Sequence, residues 1–360
     1  MKYITLEEVC ENRTSNISQK DLKENEGIYP IYGASGLIKK VDFYTQDKEY
    51  IGIVKDGAGV GRIMLLPSKS SVIGTMQYII PNGILDTKYL YYALISKNLS
   101  KYSSGATIPH IYFKDYKKEK IALISESEQK KVINILDRII DIINKRKNQI
   151  NLLEELVKSR FIEMFGDPIR NEKGWEQKFL EKISSFESKN ITKYLKCNDL
   201  IWLLNLEDIE QNTGKIIKKK MITKFEIPTS IIAFDENYVL YSKLRPYLNK
   251  VVLPLEEGIG TSELIPILPR NEVNRIYLFN VLTSESVLKF LKMKVSGAKM
   301  PRIIMSDFKK LKISLPEIKL QNEFAEFVEK TNKLKFEAEK SLKEMENLYD
   351  SLMQKFFKQN

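Results

Sequence analysis

The stretch SGATIPHIYFKDYKKEKIAL, Ser104 to Leu123, returns 192 positions later as SGAKMPRIIMSDFKKLKISL, Ser296 to Leu315. Ser-Gly-Ala, a Pro, an Ile, an Asp, Lys-Lys, Lys-Ile and a closing Leu recur in register without a gap. A chain that writes such a phrase twice is expected to fold as two copies of one unit, so the repeat takes precedence over any single motif. Extended forward, Ser104 to Phe165 lies over Ser296 to Phe357 without insertion, and the apolar pattern matches better than the identities do.

Both copies continue into a long run with alternating steps of four and three. The first gives Val132, Leu136, Ile139, Ile143, Arg146, Ile150, Leu153, Val157, Arg160 and Met164. The second gives Phe324, Val328, Thr331, Lys335, Ala338, Leu342, Met345, Tyr349, Leu352 and Phe356. This is the seam of an amphipathic helix that packs on another helix, and the natural partner of each is its own copy. Neither run contains Gly or Pro; SESEQKK and LPEIKLQNE supply the entries, and FGDP ends the first. At 1.5 Å per residue such a helix reaches roughly 57 Å, the length of a spacer. Arg146 against Ala338 and Arg160 against Leu352 break the equality of the seams. These polar members are expected to face a partner rather than the sister helix.

The regions ahead of the helices are different in character. Residues 1–115 and 170–307 are rich in short β-type runs broken by Gly, Pro and Asn, such as YIGIVKDGAGVGRIMLLP and VLYSKLRPYLNKVVLP. Their order matches where the letters do not: Gly74-Thr75 with Gly260-Thr261, Pro67 with Pro254, Pro81 with Pro269, Tyr89-Leu90 with Tyr277-Leu278. The fold class is therefore α+β, with two similar β-rich mixed domains at 1–115 and 170–307. Two long helical segments, 116–169 and 308–360, separate them and are expected to pack on one another.

Composition narrows the chemistry. A 43% apolar, 29% charged chain is that of a water-soluble globular protein, and no apolar run of about 18 residues exists to cross a membrane. Cys10 and Cys197 fit a reducing cytoplasm, and too few metal-type ligands exist for a zinc site. His110 is the only histidine, which removes most Ser-His-Asp and Cys-His chemistry. GAGVG, Gly57 to Gly61, is followed by a strand-like RIMLLP instead of the helix a dinucleotide fingerprint needs, and reads as a hairpin turn or a close backbone approach to phosphate. No P-loop, no Pro-Pro of an amino-methyltransferase site and no Pro-Asp with Glu-x-Lys occurs, so the chain reads as non-catalytic with no metal or cofactor of its own.

A formal charge of +11 favours an anionic partner, and nucleic acid is the commonest. Lys39, Lys40, Lys55, Arg62 and Lys101 stand in the first β-rich region; Lys218, Lys219, Lys220, Tyr241, Lys243, Arg245 and Tyr247 stand in the second. Lys and Arg neutralise phosphates, and Arg also meets guanine with two hydrogen bonds. In the repeated loops Ser104, Gly105 and His110 in one copy, and Lys299 and Arg302 in the other, suit a phosphate-facing turn; a hinge joining domain to helix fits the same residues.

Taken in order, SGATIP and SGAKMP, YPIYGASGLI (Tyr29 to Ile38), FIEMFGDPIRNEKGW (Phe161 to Trp175), LLNLEDIEQNTGKI (Leu203 to Ile216) and YSKLRPYLNKVVLP (Tyr241 to Pro254) resemble the specificity (S) subunit of type I restriction-modification systems. The likeness covers essentially the whole chain. It implies two target recognition domains, each reading one half of a split, asymmetric sequence in double-stranded DNA. It implies an antiparallel coiled coil, with Leu136, Ile139, Ile143, Ile150, Leu153 and Val157 facing Val328, Leu342, Met345, Tyr349 and Leu352, that sets the spacing between the halves and docks two methyltransferase subunits. S-adenosylmethionine, ATP and Mg are then expected on methyltransferase and restriction subunits, which carry adenine methylation and DNA cleavage in the cytoplasm. The readings set against it are an enzyme of which this chain is the recognition part, and a coiled-coil adapter that binds only protein.

Overall fold

In the computed structural model, residues 2–105, 107–196, 200–297 and 300–357 are described. The chain forms two compact units, residues 1–147 with 339–360 and residues 148–338. The boundary passes through both long helices, so each β-rich region owns one part of each helix.

In the first unit, strands Cys10–Thr14, Met76–Pro81, Tyr50–Val54 and Ile63–Leu66 form a four-stranded sheet in that order, every pairing antiparallel. Tyr50–Val54 is buried along its whole length, which is why it reads as a continuous apolar run. A smaller sheet orders Gly36–Val41, Tyr29–Gly33 and Ser71–Val72. Lys2–Thr5 pairs with Lys120–Leu123, tying the start of the chain to the segment ahead of the long helix. Helix α1 (Thr87–Ser96) starts at Asp86, whose carboxylate accepts from the Lys88 and Tyr89 amides.

Helix α2 (Glu126–Phe165) follows. Ser125 and Glu128 close its first turn by capping each other, and Gly166 at φ 73 ends it ahead of Asp167-Pro168.

The second unit repeats this plan. Ser184–Ser185, Leu264–Pro269, Val239–Ser242 and Val251–Val252 form the matching antiparallel sheet. Glu176–Phe179 pairs with Lys312–Leu315 as Lys2–Thr5 does with Lys120–Leu123. Asn274 caps helix α3 (Arg275–Thr283) through the Ile276 and Tyr277 amides. The smaller sheet differs: it has four strands, Lys220–Ile222, Ile201–Leu204, Gly258–Thr261 and Ile231–Phe234, the middle pair parallel. Helix α4 (Ile318–Phe357), like α2, is 40 residues long, roughly 60 Å at the α-helical rise.

The two long helices pack antiparallel within each unit. In the first, Val132 and Leu136 share a core with Met353 and Phe357, while Lys147 reaches Glu346 at 3.0 Å, so numbers rise along one helix as they fall along the other. In the second, Phe161 and Phe165 pack on Phe324, and Glu154 meets Lys335 at 2.6 Å. Leu136, Ile139, Ile143 and Val328 are buried; Ile150, Leu153, Val157, Leu342, Met345, Tyr349 and Leu352 are half-buried. Arg160, expected to face outward to a partner, instead lays its guanidinium over the Phe327 ring of the sister helix, 6.0 Å from the centroid, and pairs with Glu163.

Candidate nucleic-acid interface

The turn after the central strand is held in each unit by three backbone contacts, two of them to the repeated loop. In the first unit the Lys55 amide donates to Thr75 O at 2.9 Å, the Gly57 amide to Pro109 O at 2.9 Å, and the Ile111 amide to Lys55 O at 2.9 Å. In the second the Lys243 amide donates to Glu263 O at 2.8 Å, the Arg245 amide to Pro301 O at 2.8 Å, and the Ile303 amide to Lys243 O at 3.0 Å. The turn after the central strand is thus clamped by the SGA loop in the same way twice. Lys55 answers to Lys243, Gly57 to Arg245, and His110 to Arg302. Gly57 has φ 91 and Arg245 φ 47, so both turns pass through the left-handed region at the matched residue. The carbonyls that accept from Lys55 and Lys243 also correct the register: Thr75 corresponds to Glu263, not to Thr261.

Gly57 to Gly61 forms a hairpin turn, because Ile63–Leu66 pairs back onto Tyr50–Val54. Gly61, at φ 84, lies where a Cβ would stand 2.6 Å from the Ser100 amide nitrogen, so no other residue fits there. The repeated loop meets the turn after Tyr50–Val54 through Pro109 and Ile111, which brings Lys55 close to Ser104, Gly105 and His110, while Lys101 is turned to Glu119. Ser104 and His110 exchange backbone hydrogen bonds at 2.8 and 2.9 Å, and Gly105 at φ 96 leaves no room for a Cβ beside Ile108 O. The Ser104 hydroxyl points back to His110 O at 3.4 Å, and the His110 ring sits against Tyr112 with centroids 5.0 Å apart. Ser and Gly of this loop turn the chain.

The basic side chains divide into committed and uncommitted groups. Lys39 donates to Leu22 O at 2.9 Å, Lys243 to Ser262 O at 2.6 Å, and Arg62 to Ala34 O at 2.6 Å. Lys101 pairs with Glu119 at 2.6 Å, and Arg302 with Glu263 at 2.6 Å. Lys55 lies 3.9 Å from Asp56. Lys219 pairs with Glu256 and sits 5.6 Å above the Trp202 ring. Lys40, Lys218, Lys220 and Arg245 are exposed, as is Tyr247. Tyr241 is a correction: it is fully buried in its strand against Phe308, and burial pushes its phenol up, so it is a core residue and not part of a surface. Lys299 lies outside the described residues.

Residues 1–152 match the family model of the type I restriction modification DNA specificity domain. Over 395 aligned residues the chain is 20% identical to the type I restriction enzyme EcoDI specificity subunit of Escherichia coli, covering 99% of this chain and 88% of that one. It is 23% identical over 372 residues to the MjaIX specificity subunit of Methanocaldococcus jannaschii, covering 94% and 84%. The chain is a relative of the type I specificity subunits. The fold agrees with that relationship. The crystal structure of a type I restriction-modification S subunit from M. genitalium superimposes with a TM-score of 0.66 at 16% identity over 100% of this chain and 96% of that one. A chain from a structural study of the assembly and conformational transition of the type I system gives 0.57 at 15% identity over 99% and 97%.

For a specificity-subunit relative, two surface features escaped the sequence reading. Ile108 and Met300 stand at matched positions of the repeated loops and are 64% and 52% exposed, beside matched Tyr112 and Ile304. The long helices also carry a second stripe. Ile135, Ile142 and Leu156 on α2 share one heptad register, and Phe327, Leu334 and Leu348 occupy the same register on α4; all but the half-buried Phe327 are exposed. The signal was present in the seven-residue spacing, but the inner seam has the stronger pattern and masked it. Among the described residues no cluster of His, Cys, Asp and Glu suits a metal, and no helix is long and apolar enough to cross a membrane. Cys10 is buried and its thiol is pushed up to about 12, which leaves it inert; Cys197 is outside the described residues.

Proposed function

We propose that the chain is the DNA-reading subunit of a type I restriction-modification complex and performs no chemistry itself. Each unit reads one half of a bipartite, asymmetric site in double-stranded DNA. The observation that carries this reading is the turn clamped by the SGA loop: its hydrogen bonds recur in both units while the side chains it displays differ. A shared scaffold with unlike exposed groups is what two readers of unlike half-sites require. The long helices set the spacing, and their outer apolar stripe, which recurs in register, supports docking of two methyltransferase subunits. S-adenosylmethionine, ATP and Mg belong to those partners and to the restriction subunits.

The test is selection of bound duplexes from a random pool by the full chain, with binding repeated across salt concentrations. A two-part motif with a fixed gap, and affinity that falls steeply with salt, is expected. Removal of one heptad from each long helix shortens the pair by about 10 Å, so the gap should shrink by roughly 3 base pairs. Salt-insensitive binding without a motif would favour the protein-only adapter. Methyl transfer from S-adenosylmethionine by the chain alone would favour the enzyme.

A further inference from the structure

Resting on that reading, we propose that Arg245 is a specificity-determining residue of the second unit, making a two-hydrogen-bond contact with a guanine edge, at a place where the first unit presents only backbone. Its backbone is fixed from both sides. The Arg245 amide donates to Pro301 O at 2.8 Å, its carbonyl accepts from the Leu248 amide at 2.9 Å, and Pro246 follows it. At φ 47 it occupies the left-handed conformation that ordinary L-residues avoid and glycine adopts freely. Glycine stands at the matched position, Gly57. An arginine kept in a turn that suits glycine implies that the side chain is needed there.

The side chain is also free for a ligand. Among the described residues, the other cations of this turn and loop, Lys243 and Arg302, are held by Ser262 O and Glu263. The Arg245 guanidinium is exposed, with no hydrogen-bond or ion-pair partner among the described residues. In the first unit a Cβ placed on Gly57 would meet nothing within 4 Å, so the matched direction leads into open space there too. Guanine is the base whose major-groove edge offers two adjacent acceptors to the fork of an arginine, whereas a lysine supplies only a point charge.

The experiment is duplex selection by the full chain and its variants, read position by position. Arg245→Gly and Arg245→Asn both tolerate the left-handed turn, so the fold is kept while the guanidinium is lost. Both should lose preference at one G·C pair in one half-site, on the order of 10- to 100-fold, and leave the other half-site unchanged. Arg245→Lys should keep most of the affinity and lose the same discrimination. Gly57→Arg should alter preference only in the opposite half-site. An unchanged motif with Arg245→Gly would show that Arg245 only shapes the turn and would overturn the assignment, as would a loss spread over both half-sites. If the unsubstituted chain selects no two-part motif, the proposed function itself falls and takes this assignment with it.

Discussion

The two units share a hydrogen-bond skeleton and differ in what is hung on it. Gln129 and Gln321 accept from the Asp86 and Asn274 amides at 2.8 and 2.9 Å and donate to the Ile124 and Pro316 carbonyls. Tyr89 donates to Ala122 O, and Tyr277 to Ser314 O. Around this skeleton the fillings diverge. In the first unit Tyr92 and Lys88 of α1 reach Asp137 on α2. In the second, the matched helix carries Asn280, whose amide turns back to Ile276 O, and a groove of about 640 Å³ is left beside Val157, Phe161 and Val328. Polar groups that are buried and pair with backbone are repeated; groups that face a groove or water are free to change. A buried donor without its partner costs more than an exposed one, so the repeated contacts are those with the largest penalty for loss.

The largest test of that equivalence uses Phe165 and Phe357, which occupy matched places against Tyr277 and Tyr89 with ring centroids 4.9 and 5.3 Å apart. Phe165→Ala should destabilise by about 3–5 kcal/mol in chemical denaturation, the range for a large aromatic in a packed core. Phe165 also packs on the rings of Phe161 and Phe324, whereas Phe357 has only the more distant Phe356 ring beside it besides Tyr89 among the described residues. Phe357→Ala should therefore cost clearly less, and equal losses would show that the additional rings around Phe165 add nothing to its packing.

Gln129→Leu and Gln321→Leu come next. Each removes a buried side-chain amide that satisfies a partly buried backbone amide and a backbone carbonyl, and each should cost about 1–3 kcal/mol. Similar losses would sharpen the comparison. A loss in one unit alone would mean that the shared geometry is not a shared energetic device.

Acid should then separate the units. Burial pushes the Glu119 carboxyl up, but the Lys101 and Tyr102 donors and the Lys97 charge outweigh it and hold it below the ordinary range. A depressed folded-state value means stability that is present above the ordinary carboxylate range and is lost as pH falls through the folded value. The matched residue in the second unit is Leu311, which cannot titrate. Glu119→Gln should flatten the acid limb of thermal unfolding for the first unit and leave that of the second in place.

The helices were legible because a step of four and three ran unbroken by Gly or Pro from a Ser-Glu cap to a Gly-Asp-Pro stop. The paired sheets were legible as an order of runs. Tyr241 was not, because every residue of Val239–Ser242 is buried and a strand without alternation gives no outer face to read. Its neighbours Lys243 and Arg245 drew it into a basic cluster that the fold divides between core and surface. The clamp of turn on loop was hidden for a different reason: the turn repeats at one spacing and the loop at another, so only their hydrogen bonds reveal the match. Lys39 belongs to the same class, since nothing local announces that Leu22 O will take its ammonium.

The smallest effect concerns charge alone. Lys218 and Lys220 are exposed, while Lys219 is held by Glu256 and the Trp202 face. A lysine that contacts phosphate adds about 0.9 to the slope of log affinity against log salt, so Lys218, Lys219 and Lys220 replaced together by Ala should flatten that slope by roughly 2 and not 3. The selected motif should stay as it was, because a phosphate contact carries no base identity. In the first unit Lys39→Ala provides the contrast. Its ammonium already serves Leu22 O, so the salt slope should hardly move while stability falls slightly. A full flattening by 3 would put Lys219 on phosphate as well, whereas a motif altered by the lysine substitutions would place the run in direct readout and move part of the specificity of the second unit away from the Arg245 turn.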